Sequence, residues 1–167
     1  LHHHRRAAAD LHPADLDLAG GVSAVHTARA ADVVVVTAPL LPSAATPDDD
    51  KRLRVLRKDK KVSAILHTGY PVRHWDHDLG PDHAHLLRVE SDAAQDITPQ
   101  PGMALNEATV DLSADGSFLV ASWEVPAAGA ALRSVLVRID SRESELALAE
   151  RVNEDRAEVL LDEVLAS

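Results

Sequence analysis

The stretch "ATVDLSADGSFLVASWEV", residues 108–125, decides the fold. Apolar and polar residues alternate up to Leu112, "SADG" interrupts them, and Phe118 to Val125 runs back in strand-like composition. Asp-Gly between two such runs is a hairpin signal, because Gly116 enters positive φ without steric penalty. After a loop containing Gly129, Arg133 to Asp140 supplies a third strand. Working outward, Val22 to Thr27 and Val33 to Ala38 are β-branched runs separated by "ARAAD", a second hairpin. Its four consecutive valines imply a strand covered on both faces. "VSAILH" (62–67) and "HAHLLRVE" (83–90) have strand composition, whereas "SDAAQDITPQPGMALNE" (91–107) is polar, rich in turn formers, and reads as connection. Two three-stranded meanders of this sort make the fold class mainly β.

Helical signals are confined to two places. In "TPDDDKRLRVLRKDKK", Thr46 is an N-cap residue, Pro47 suits the first helical position, and three aspartates precede the basic turns. A surface helix is predicted near 48–61. Residues 141–167 place Leu146, Ala149, Val152, Leu160, Leu161, Val164 and Leu165 at helical spacings, which predicts a C-terminal helix packed back on the sheet. Residues 1–19 show no period and read as an irregular lead-in. The expected organisation is thus 1–19, a β segment over 20–140, and 141–167.

Composition narrows the function classes. The 167 residues carry 27 acidic and 17 basic side chains, a formal charge of −10. Binding nucleic acid or anionic membrane needs clustered cations, and the one basic run, Lys51 to Lys61, follows Asp48, Asp49 and Asp50. The absence of cysteine excludes disulfides, thiolate metal sites and a thiol nucleophile, and fits a reducing, cytoplasmic setting. No apolar window is long enough for a membrane span. With Tyr70, Trp75, Phe118 and Trp123 as the aromatics, the core is built from Ala, Val and Leu.

The strand–"SADG"–strand unit ending in "LVRID" resembles a β-propeller repeat whose turn usually reads Ser-Pro-Asp-Gly, with Ala114 in place of proline. Together "GGVSAVHTARAADVVVVTAPLLP", the acid-then-basic helix, "KVSAILHTGYPVRHWDHDLGPDHAHLL" and "DITPQPGMAL" resemble the propeller of bacterial prolyl-oligopeptidase-family serine peptidases, in the acylaminoacyl-peptidase and dipeptidyl-aminopeptidase-like branch. The resemblance covers about residues 20–140. It implies a partial propeller of two to three blades, since a blade takes roughly 40–50 residues and a closed propeller needs about four or more. In that family the propeller caps an α/β-hydrolase domain and admits short peptides to it.

Catalysis there needs a serine on a Gly-x-Ser-x-Gly elbow followed by an acid and a histidine. The nearest approach here is "GVSAV", where Val25 stands in the place of the second glycine and Ser23 lies in strand-like sequence. The expectation is therefore a segment with no catalytic residue and no cofactor, which gates and orients peptide for a hydrolase domain encoded outside these residues. A stand-alone β-rich binding module is the alternative.

A third reading concerns "HTGYPVRHWDHDLGPDHAH", residues 67–85. His67, His74, Asp76, His77, Asp78, His83 and His85 offer imidazole and carboxylate ligands of the type zinc takes. "HWDHD" resembles the ligand run of metallo-β-lactamase-type hydrolases, but the first two histidines of that run have no counterparts. His74, Asp76, His77, His83 and His85 are the metal candidates, set against a structural loop whose polar groups hold one another.

Overall fold

The computed structural model describes residues 16–65, 80–90, 93–126 and 132–142, and the backbone of 73–74 and 77–78. Among the described residues, nine strands and one helix follow in the order β1 (Ala24–Thr27), β2 (Val34–Leu40), α1 (Pro47–Asp59), β3 (Arg73–His74), β4 (His77–Asp78), β5 (His83–Glu90), β6 (Ala93–Asp96), β7 (Val110–Leu112), β8 (Phe118–Pro126) and β9 (Leu132–Asp140). The architecture is mainly β. One sheet has the order β1-β2-β5-β6, a second β7-β8-β9, and β3-β4 is a two-residue ladder; all pairings are antiparallel.

The hairpins fall where the turn chemistry places them. Gly116 adopts φ +70, its N–H donates to Ser113 O at 2.9 Å, and Asp115 accepts from Ser113 Oγ and Ser117 N. β2 is central in its sheet, and Val34, Val35 and Val36 are all buried, as a strand covered on both faces requires. α1 starts as its sequence dictates: Thr46 Oγ1 accepts from Asp49 N at 3.1 Å and Pro47 opens the first turn. It ends in a Schellman-type exit with Lys61 at φ +53, where Val62 N donates to Arg57 O and Lys61 N to Lys58 O.

That exit corrects one expectation. Residues 62–65 are not strand: the helix terminus captures the Val62 amide, and Val62 and Ile65 stay exposed. A second correction is β6, which lies inside the stretch read as connection. Its residues, Ala-Ala-Gln-Asp, have poor strand propensity, and pairing with β5 decides their conformation (Leu87↔Asp96, Arg88↔Gln95). The predicted C-terminal helix lies outside the described residues from 143 onward.

The two sheets are copies of one unit. Residues 23–40 and 108–125 have the same strand–turn–strand plan in the same register: His26↔Val35 matches Asp111↔Val120, and Val25↔Val36 matches Val110↔Ala121. The third strands carry the related sequences "LLRVES" (86–91) and "LVRIDS" (136–141). Val35↔Arg88 then corresponds to Val120↔Arg138, and Thr37↔Leu86 to Ser122↔Leu136. Between the second and third strands the first unit carries α1 and the β3-β4 ladder; in the second, five residues separate β8 from β9.

The units stack face to face. Val35, Leu86 and Ile97 from the first sheet pack on Leu112, Leu119, Ala121, Val137 and Ile139 from the second, with Leu105 between. β1 lies beside β7. At one end Ala30 N donates to Ala114 O at 2.8 Å, and Arg88 Nη1 donates to Ser141 O and Oγ at 3.1 and 3.2 Å. The opposite face of the first sheet, with Val34, Val36, Ala38, Leu40 and Leu87, is covered in part by Leu16, Leu18 and Val22.

Candidate functional site: the polar array at the start of β5

Polar side chains concentrate where β5 begins. His83 and His85 sit two apart on one face of the strand, opposite Leu40 and Ala38 of β2. His85 is buried and its Nδ1 lies 2.8 Å from Asp96 Oδ2 on β6. Asp96 is engaged twice more, accepting from Thr98 N at 2.9 Å and Thr98 Oγ1 at 3.3 Å through Oδ1. Thr98 Oγ1 in turn accepts from Leu86 N at 2.9 Å. His85 Nδ1, Asp96 and Thr98 are thus joined in one hydrogen-bonded chain, which is what their loss of hydration demands. With Nδ1–H donating to the carboxylate, the imidazole tautomer and ring plane are held.

The second half of the array anchors the helix. Asp50 is fully buried and accepts from Leu41 N at 2.8 Å and Arg54 Nε at 2.7 Å. Arg54 also donates to Pro39 O at 3.1 Å and pairs with Asp82 Oδ2 at 3.2 Å. Gly20 permits this approach, since a Cβ there would lie 2.3 Å from Pro39 O and 2.8 Å from Arg54 Nη2. Burial pushes the pKa of His83 below the usual imidazole value, helped by His85 and opposed by Asp82. His26, whose Nε2 lies 3.0 Å from Thr37 Oγ1, is likewise lowered by burial, with Asp111 opposing.

Of the metal candidates, His83 and His85 are the two whose side chains fall within the described residues. His83 and His85 share a strand face, and His85 is committed to Asp96. His74 and His77 are aligned by the β3-β4 backbone pairing (His74↔His77, Arg73↔Asp78). Asp76 and His67 lie outside the described residues, as do the side chains of His74, His77 and Asp78. Among the described residues no three His, Cys, Asp or Glu side chains converge as a metal site would require. Ser23, the serine of "GVSAV", donates its hydroxyl to Thr37 O at 3.0 Å at the head of β1, and among the described residues no histidine bonds to it. Asp50, Arg54, Asp96 and Thr98 were not singled out by sequence. Asp50 reads as one of three N-terminal helix acids, and Asp96 as linker.

The repeat shows what is particular about this array. In the second unit the position of His85 is taken by Val135, and that of His26 by Asp111. The His85–Asp96 pair is therefore an addition to the shared plan, present where α1 and the ladder are inserted. No family model, curated protein or solved structure matches the chain. Among the described residues no helix is long and apolar enough to cross a membrane.

Proposed function

We propose that residues 20–140 are a non-catalytic segment of a β-propeller that gates and orients peptide substrate for a serine hydrolase domain of the prolyl-oligopeptidase type, supplied outside these residues. One observation carries this reading: two antiparallel units with the same register stack face to face, with their first strands, β1 and β7, side by side. That is the relation of neighbouring propeller blades, whose leading strands line a common axis. The polar array belongs to the insertion on the first unit and serves it structurally, tying α1 to β2 through Asp50 and Arg54, and β5 to β6 through His85 and Asp96.

Two measurements test the reading. The reading frame around these residues should encode a downstream Gly-x-Ser-x-Gly elbow, and the full protein should cleave acyl-peptide or dipeptidyl chromogenic substrates. Residues 1–167 alone should not. Hydrolysis by the isolated chain, blocked by a serine-directed reagent, would refute the non-catalytic role.

A stand-alone β-rich binding module is the second reading. It is favoured by the coverage of the outer face of the first sheet by Leu16, Leu18 and Val22, from within the chain itself. A start and a stop codon bracketing these residues, with no elbow between, would establish the module and end the peptidase reading.

A further inference from the structure

We propose that the outward face of α1 and its exit, residues 55–65, docks an acidic protein segment that carries aliphatic side chains among its carboxylates. The inference does not rest on the peptidase reading.

Large apolar side chains stand in water here more than elsewhere. Among the described residues six large hydrophobics are exposed, and four of them fall within these positions: Val55 at 56%, Leu56 at 47%, Val62 at 45% and Ile65 at 38%. A single exposed apolar residue needs no explanation, whereas a cluster rimmed by charge marks a surface that meets a partner. Val55 and Leu56 are not what attaches the helix. That is done by Asp50, fully buried, and by Arg54, which reaches Asp50, Pro39 O and Asp82.

The patch is held in shape before any partner arrives. Val62 N donates to Arg57 O at 2.9 Å and Lys61 N to Lys58 O at 3.1 Å, which folds the chain back over the last turn of the helix. Arg57 Nη2 then donates to Ala64 O at 3.0 Å and fixes the backbone between Val62 and Ile65. A surface ordered in advance loses little entropy on binding.

Charge selects the occupant. Residues 51–65 carry seven cations and one carboxylate, Asp59, a local charge of +6 in a chain whose net is −10, which leaves −16 on the rest. Four of the cations are engaged: Lys51 with Asp17, Arg52 with Asp49, Arg54 with Asp50 and Asp82, and Arg57 with Ala64 O. Among the described residues no carboxylate pairs with Lys58, Lys60 or Lys61. Lys58 stands three on from Val55 and Lys60 four on from Leu56, spacings that make neighbours on a helix surface. A partner with aliphatic side chains between carboxylates satisfies both features at once. An anionic bilayer would also meet the ammonium groups, but it repels the acidic remainder of the chain. A second copy would have to set its acidic surface on this basic one, a head-to-tail contact that does not close as a two-fold dimer does.

Fluorescence anisotropy of a labelled synthetic peptide tests the docking. The probe is an amphipathic peptide of about 18 residues, leucine on one helical face and glutamate on the other. The full chain should bind it saturably at low salt, where exposed charges are least screened. V55S/L56S leaves every charge in place and should weaken binding by at least about tenfold. K58Q/K60Q/K61Q should weaken it by at least about threefold. All five side chains are exposed, so the urea midpoints of both variants should match that of the unmodified chain and lost binding is not lost fold. Absence of saturable binding, equal affinity for poly-glutamate of the same charge, or binding unchanged in either variant would overturn the proposal. So would phosphatidylserine vesicles bound through these residues in place of the peptide, or dimers of the unmodified chain that V55S/L56S abolishes.

Discussion

Gly116 is where the stacking of the two units can be tested most sharply. A Cβ at this position would lie 2.6 Å from Val33 Cβ, 2.7 Å from Cγ2 and 3.1 Å from Cγ1. Ordinary carbon contacts are about 3.5–4.0 Å, so an added methyl must move two elements apart by about 1 Å. Neither moves readily. Gly116 N is bound to Ser113 O at 2.9 Å and its carbonyl accepts from Ser141 Oγ, while Val33 O accepts from Ala28 N at 3.0 Å. Overpacking of this kind costs about 1–3 kcal/mol. Alanine at φ +70 adds roughly 1–2 kcal/mol for the left-handed backbone. Gly116→Ala should therefore destabilise by about 2–5 kcal/mol. Gly102 provides the control: it has φ +59 with nothing within 4 Å, so Gly102→Ala carries only the backbone cost. Urea unfolding followed by tryptophan fluorescence reads the difference. With a slope of roughly 1–3 kcal/mol per molar urea, the Gly116→Ala midpoint should fall by about 1–2 M. Val33→Gly should couple favourably to it by about 1–3 kcal/mol, and Val33→Ala less, because its Cβ remains. Equal midpoints for the Gly116 and Gly102 variants, or no coupling to Val33→Gly, would refute the inter-sheet contact.

Three further outcomes are expected. Asp50→Ala strands the buried Leu41 N–H and removes the partner of Arg54 Nε, while Arg54 Nη2 keeps Pro39 O and Asp82, and should cost about 1–3 kcal/mol in a thermal or urea melt; a loss under about 0.5 kcal/mol would show that the anchor is not needed. His26 and His83 have folded pKa values below 6.5, so their neutral forms favour the fold: stability is fully present above pH 6.5 and is lost as pH falls through the lowered folded values. His26→Gln with His83→Gln should flatten that dependence, measured as unfolding midpoint against pH, and an unchanged slope would contradict the assignment. Asp115 accepts from Ser117 N, Ser113 Oγ and Ser117 Oγ, which lower its carboxyl pKa to about 2, so its contribution is present above pH 3.8 and lost as pH falls through about 2. An NMR titration should find that value, and Ser113→Ala with Ser117→Ala should raise it.

Local chemistry determined much of this protein from sequence alone. Asp115-Gly116 made its hairpin because positive φ is available to glycine. Thr46 and Pro47 started α1 because they satisfy and pre-organise its first turn, and the valine run became the doubly covered β2. Each of these outcomes depends on residues within a few positions of one another. Tertiary structure decided the rest. β6 exists because β5 offers it a partner, against the propensity of Ala-Ala-Gln-Asp. "VSAI" lost its strand character to the exit of α1. Asp50 turned out to be a buried anchor and Asp96 the partner of His85, because groups that leave water must find partners that lie far away in the chain, and no local pattern records which group is opposite.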